Sequence, residues 1–498
     1  MGFPDLPLHS NPAKTPATSV PPMAASAPAW TSRERVTDVM DDAFFFRALE
    51  ENGILLNAEQ IEAVRHHEGP LLIVAGAGSG KTTVLAARTA YLIAVLGIPA
   101  TRILLVTFTS KAAQEIKERI AKIPGIPAGA ARSVEARTFH SFGLMLLRKS
   151  GFTQRILGDF APRHTIMKIV LRKLDPSGVY QPETVLAALS SWKMKGYWPS
   201  QLPDDTKDEA AMKRIMMAYE EWKLERNQWD FDDILLNTLK LLEDPRLLAQ
   251  LQSRYAYIMV DEFQDTNAVQ YSLVQHLAAS STRNIAVVGD DDQTIYTFNG
   301  ARQESILEFD QVYPTAKRVT LHINYRSDHR ILGLGSALVR HNKLRLPKEL
   351  LASAPSGAAP VYLSPASVDE EAQWVVGHLI EDAKREQIKY GDIAILHRTA
   401  GSSRAILEQL LLHGVPFVQY GSAPVFYDQA LIRPLMDHLR LSLIPRRMEH
   451  YKVSSDHYMC PKSKVWLLLQ NRNSDKRRSI HSFTSFAGIG CSRFSKKP

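Results

Sequence analysis

The sequence predicts an α/β fold, a parallel sheet covered by helices with a phosphate-binding edge, and three observations carry that expectation. Residues from about 40 to 145 alternate strand-like and helical runs, as a sheet layered with helices requires. A glycine-rich loop follows the apolar run Leu71-Leu72-Ile73-Val74 and opens a helical stretch from Val84 onward. A second apolar run, Tyr257-Ile258-Met259-Val260, ends in Asp261-Glu262-Phe263-Gln264-Asp265, and ligands of open α/β sheets bind where strands end.

The loop reads Ala75-Gly76-Ala77-Gly78-Ser79-Gly80-Lys81-Thr82-Thr83. Gly76, Gly78 and Gly80 let backbone N–H groups curl around phosphate oxygens without Cβ clashes. Lys81 would reach the outer phosphates of a nucleotide, and the Thr82 hydroxyl would hold magnesium. Ala75 stands where the strict pattern has glycine. A turn without ligand is the plainer reading, and the order strand, Gly-Lys-Thr, helix weighs against it.

At the second strand end, Asp261 would bind Mg2+ directly or through water. Glu262 beside it would act as general base on an attacking water. Acidic pairs also open ordinary helices, and it is the upstream phosphate loop that favours a catalytic reading. Ile285-Ala286-Val287-Val288 is another buried strand and leads into Gly289-Asp290-Asp291-Asp292-Gln293-Thr294-Ile295-Tyr296. Gln293 is placed to sense a γ-phosphate, and Tyr296 and Phe298 are candidate stacking rings. In Asn324-Tyr325-Arg326, Tyr325 can cover an adenine face and Arg326 can neutralise charge on a transferring phosphoryl group.

From about Leu56 to about Arg447 the chain resembles the UvrD/Rep family of superfamily 1 DNA helicases. Leu56-Asn57-Ala58-Glu59-Gln60 is similar to that family's adenine-reading motif, with Gln60 as the expected base contact. Val106-Thr107-Phe108-Thr109-Ser110-Lys111-Ala112-Ala113 and Ala136-Arg137-Thr138-Phe139-His140-Ser141-Phe142 resemble its single-strand-binding motifs. Asp230-Phe231-Asp232-Asp233 resembles the point where an inserted helical subdomain returns to the core. Seven motifs in order are far more specific than any one of them. The resemblance implies a RecA-like P-loop NTPase core with a helical insertion and the start of a second RecA-like core. It implies 3′-to-5′ translocation on single-stranded DNA driven by ATP. Bases would cross Phe108, Tyr296 and Phe298, while Thr109 lies in the first of those motifs and Thr138 and His140 touch the backbone. Tyr325 would stack on adenine, and Arg326 would be one of two arginine fingers. A small-molecule kinase or other ATPase would leave the strand-binding motifs as coincidence.

There are departures. Thr297-Phe298-Asn299 lacks the positive charge common in the family after the motif tyrosine, and Ser110 replaces asparagine. The family's Lys-Gly-Leu-Glu type segment and second arginine finger have no counterpart in these residues. An arginine finger is worth roughly 10³–10⁵ in rate in related systems. This polypeptide alone is therefore expected to bind ATP and DNA and to hydrolyse slowly, the alternative to a working helicase.

Composition separates the tail from the rest. Residues 451–498 hold ten Lys/Arg against two Asp, which is the whole chain's excess of +8. The basic balance is thus no nucleic-acid footprint of the core; the expectation is a frameshifted or otherwise aberrant end, with a basic arm as the alternative. Both cysteines, Cys460 and Cys491, lie there. With His457 and His481 they match no usual zinc spacing. Two cysteines fit a reducing cytoplasm, and no apolar run approaches the ~20 residues needed to span a bilayer. The expected organisation is a disordered segment 1–35, a first core at 36–145 and 246–330, a helical insertion at 146–245, a partial second core at 331–450 and the tail 451–498. In the second core, Ala359-Pro360-Val361-Tyr362-Leu363 and Ile393-Ala394-Ile395-Leu396 are expected as strands, with a helix near Glu370 to Ala383 between them. Four tryptophans, Trp192, Trp198, Trp222 and Trp229, are expected in the core of the insertion. Nothing in the sequence names a protein partner or the repair or replication pathway served.

Overall fold

The computed structural model describes residues 23–158, 160–279, 284–385, 388–399, 401–420 and Leu435. Two compact units divide after Val361. The first is built on six parallel strands: β1 Leu71–Ala75, β2 Ile103–Thr107, β3 Glu135–Thr138, β4 Tyr257–Val260, β5 Ile285–Gly289 and β6 Lys317–Leu321. Their order is β3-β2-β4-β5-β1-β6, with β1 in register between Leu71↔Ala286 on one side and Leu71↔Lys317 on the other. Buried strands must be apolar on both faces, and here they are. Leu71, Ile73, Ile103, Leu105 and Met259 pack into one helical layer, while Leu72, Val74, Leu104, Val106 and Val260 pack into the other.

Because all six strands run the same way, every segment that follows a strand leaves from one rim of the sheet. That rim collects the phosphate loop after β1, Phe108 after β2, His140 after β3, Asp261 after β4, Asp290 after β5 and Asn324 after β6. The first helix of the phosphate loop, α1 Lys81–Ala94, begins three residues before the Val84 expected from periodicity. Gly80, at φ 88°, makes that early start possible, since a left-handed N-cap turns the chain directly into the helix.

The insertion is helical as expected. Its helices α2 Phe160–Leu174, α3 Pro182–Met194 and α4 Lys207–Glu225 enclose Met167, Val185, Leu189, Ile215 and Tyr219. Trp192 and Trp222 pack against this core, and Trp198 against the sheet's. Arg155–Ile156 pairs in parallel with Gln228–Trp229, joining the insertion's two ends at a neck. Helix α5 Phe231–Leu241 then returns the chain to the sheet, its N-cap Asp230 in a reciprocal capping box with Asp233.

Two expectations change. Residues 23–35, assigned to a disordered segment, are held: Ala27 N–H donates to Ala352 O at 2.8 Å, and Ser32–Glu34 forms a 3₁₀ turn. Composition sees the missing periodicity of that segment but not the sheet edge waiting for it. The runs 359–363, at the division between the units, and 393–396, in the second, carry no strand among the described residues. Tyr362 is 90% exposed and Leu396 94%, so apolar character there has no ladder neighbour to build on. The helix expected near Glu370 to Ala383 is present as α6 Val368–Arg385, packed on α7 Arg404–Leu412 through Ala372, Val376, Ile406 and Leu410. The tail 451–498, its cysteines and histidines, and Arg440 to Arg447 lie outside the described residues.

Candidate nucleotide and nucleic-acid site

The phosphate loop is shaped by what its glycines touch. A Cβ on Gly76 would sit 2.6 Å from Leu350 Cδ1, one on Gly78 2.6 Å from Arg326 Cβ, and one on Gly80 2.7 Å from Gln60 Nε2. Gly78 and Gly80 also have φ of 70° and 88°. The loop closes on itself through Ser79 Oγ, which donates to Gly76 O at 2.8 Å. Lys81, Thr82 and Thr83 form the first turn of α1, whose free N–H groups make an anion-binding end.

The Asn324-Tyr325-Arg326 segment is latched onto this loop. Asn324 Nδ2 donates to Ala77 O at 2.6 Å, and Tyr325 N–H donates to Gly78 O at 2.9 Å. Asn57 Nδ2 donates to the Tyr325 hydroxyl at 3.0 Å. Asn57 caps helix Ala58–Arg65 in a reciprocal box with Gln60, and Gln60 Nε2 donates to Ser79 O at 3.0 Å. Gln60 is therefore buried and held at both ends of its amide, with one N–H and one lone pair left for a base contact. Tyr325, Gln60, Gly80 and Thr83 line a cleft of about 590 Å³ whose far wall is Glu115, Glu118, Arg119 and Lys122. Arg326 is exposed beside Gly78.

Across the rim, Lys81 Nζ lies 3.0 Å from Glu262 Oε2 and so joins the loop to the acidic edge. Glu262 sits at φ 48°, an uncommon conformation for a side-chain-bearing residue and one that recurs at functional sites. Burial, and then the charge of Glu262, pushes the Asp261 carboxyl up to about 6. The same two causes push Asp265 up to about 7, and its buried Oδ1 has no hydrogen-bond partner. Carboxylates held this way are short of positive charge. A hard cation beside Asp261 and the Thr82 hydroxyl suits that oxygen donor set.

A chain of hydrogen bonds leaves this edge. Gln264 Nε2 donates to Glu262 Oε2 at 3.0 Å, Asp290 N–H donates to Gln264 Oε1 at 3.0 Å, and Gln293 Nε2 donates to Asp290 Oδ2 at 2.6 Å. A methyl at Gly289 would strike Gln264 Oε1 at 2.5 Å, so the relay needs the glycine. Lys348 Nζ sits 3.0 Å from Asp290 and 2.5 Å from Asp291, neutralising the acidic run. Beyond Gln293, Tyr296 stands 5.0 Å from Phe108 and 5.8 Å from Phe298, centroid to centroid, forming a row of three rings. Phe298 is 74% exposed, as a base-stacking ring must be.

The remaining nucleic-acid candidates are spent partly on structure. Thr109 and Thr138 cap the helices that follow them, accepting from Ala112 and Ser141 N–H at 3.1 and 3.2 Å. His140 meets the Phe231 ring at 5.7 Å, and burial holds its imidazole down to about 4. At pH 7 the His140 imidazole is therefore neutral. Three features go beyond the roles read from the sequence. The Asn57…Gln60 capping pattern was legible; Lys348 carries no signal. Lys193 and Lys223 are the third, and they sit buried between Glu220, Asp230 and Asp233 at 2.5–3.5 Å.

Fold and site together define an α/β nucleotide-binding core carrying a helical insertion. The profile of the UvrD/REP helicase N-terminal domain matches residues 56–314, and that of the UvrD-like helicase C-terminal domain matches residues 319–453. The chain belongs to the UvrD/Rep helicase family. It is 39% identical over 401 residues to a protein of Bacillus subtilis strain 168 named putative ATP-dependent DNA helicase YjcD, covering 78% of this chain and 52% of that protein. It is 36% identical over 400 residues to the ATP-dependent DNA helicase PcrA of Leuconostoc citreum, and 37% over 399 residues to PcrA of a Staphylococcus epidermidis strain. Each alignment covers 78% of this chain and 53% of the relative, so the chain spans about half the length of the curated relatives it matches.

Proposed function

We propose that this chain is the ATP-driven motor of a DNA helicase that moves 3′ to 5′ along single-stranded DNA in repair or replication in the cytoplasm. The observation that carries the reading is the 3.0 Å contact between Lys81 and Glu262, which brings phosphate loop and acidic edge into one site. ATP lies with its phosphates on the N–H groups of Gly76 to Thr83, its base between Gln60 and Tyr325. Thr82 and Asp261 hold magnesium, which supplies charge neutralisation at the outer phosphates. Lys81 exchanges Glu262 for a phosphate oxygen, and the freed Glu262 takes a proton from the attacking water. Arg326 offsets charge on the transferring group. Gln293 reports the γ-phosphate through Asp290 and Gln264, and the ring row Phe108, Tyr296 and Phe298 carries the bases.

The test is nucleotide binding and ATP turnover, with and without single-stranded DNA, on the 498-residue chain. Lys81→Ala loses labelled-nucleotide binding. Glu262→Gln keeps binding and loses turnover by about 10²–10⁴. Nucleotide binding by Lys81→Ala equal to that of the parent chain overturns the reading.

A further inference from the structure

We propose that residues 23–30 form a strap on the adenine side of this site, and that Trp30 is a positioning residue for Tyr325. The inference rests on the nucleotide-site reading above and concerns a segment that precedes the family match, which starts at residue 56. Ser26 bridges in parallel to Ala352; Ala27 N–H donates to Ala352 O at 2.8 Å, and Ala352 N–H donates to Ala25 O at 2.9 Å. His329 fixes the start of the strap, its Nδ1 donating to Ala24 O at 2.7 Å while Ala24 N–H donates to His329 O at 3.0 Å. Leu351–Ala352 pairs in turn with Ile323–Asn324, and the next residue is Tyr325. The strap therefore adds a third strand-like layer to the short ladder that delivers the stacking ring.

Trp30 completes the arrangement. Its ring stands 6.1 Å from that of Tyr325 at 84°, an edge-to-face pair. Trp30 does not line the cleft that Tyr325 and Gln60 share, so it supports Tyr325 without occupying the base position. The Tyr325 hydroxyl is pinned by Asn57 and its backbone by Gly78. Ring rotation about that anchored tip is the freedom Trp30 removes. A ring fixed before the base arrives loses less entropy on stacking and binds it more tightly.

The prediction separates base from phosphate. By calorimetry with magnesium present, Trp30→Ala weakens ATP binding on the order of five-fold, the scale of one edge-to-face aromatic pair. Its affinity for inorganic tripolyphosphate, which has no base, stays at the parental value. Trp30→Phe recovers most of the ATP affinity, and Ala27→Pro, which removes the strap's N–H donor to Ala352, lowers it in the same direction. Parental ATP affinity in Trp30→Ala overturns the strap proposal alone, as does an equal loss for ATP and tripolyphosphate. A parent chain that binds no ATP overturns the strap proposal together with the reading beneath it.

Discussion

Gly78 shows how much a single position can hold. It combines a φ of 70° with a Cβ position 2.6 Å from Arg326 and 2.8 Å from Asn324 Nδ2. Gly97 has a similar φ, 65°, and nothing within 4 Å. Left-handed backbone costs a side-chain-bearing residue roughly 1–2 kcal/mol, so Gly97→Ala measures that cost by itself. Gly78→Ala is expected to lose clearly more stability in urea unfolding, and to weaken ATP binding, because the latch through Asn324 must shift. His140 gives a pH signature. Its depressed pKa means its contribution to stability is present above pH 6.5 and is lost as pH falls toward about 4. His140→Gln should flatten that part of the stability profile, and single-stranded DNA affinity should gain nothing from this residue between pH 8 and 6. Asp261 runs the other way, favouring the folded state below its ordinary value and ceasing to do so as pH rises through about 6. At this scale the closeness of Lys81 to the Asp261-Glu262 edge was legible, because both follow apolar strand runs. The sequence was opaque where one side chain serves another, as with Lys348 against Asp290 and Asp291.

Among the elements, α5 joins the two halves of the first unit. Its N-cap Asp230 and its Asp233 face Lys193 of α3 and Lys223 of α4, with Glu220 closing the cluster. Lys223 is 1% exposed. Removing one member of a buried, paired set costs about 3–5 kcal/mol because the others remain uncompensated. Lys223→Met is therefore expected to lower urea stability by that amount and to loosen α4 from α5, which hydrogen exchange on those helices would register. The Asp-Phe-Asp-Asp run was legible as the end of the insertion. Its lysines were not, because they lie 7–40 residues away on helices whose facing the sequence leaves open. Strand positions were read correctly at 71–74, 257–260 and 285–288, where the apolar run is buried on both faces. The runs at 359–363 and 393–396 misled because hydrophobicity marks a strand only when a neighbour is present to pair with it.

For the whole molecule, nucleotide binding should report on the first unit as a body. A ligand at one hundred times its Kd stabilises by about 2.7 kcal/mol. ATP with magnesium is expected to raise the melting temperature of the parent chain and to leave that of Lys81→Ala unchanged, which calorimetric scans would resolve. Parallel topology explains why six of the scattered motifs converge: any segment following one of the six strands arrives at the same rim, whatever its distance along the chain. The neck at Arg155–Ile156 and Gln228–Trp229 adds a mechanical corollary. The inserted helices enter and leave side by side, and Phe231, the first residue of α5 just past the neck, meets the ring of His140 at 5.7 Å, so strain at the neck reaches the end of β3 through one ring contact.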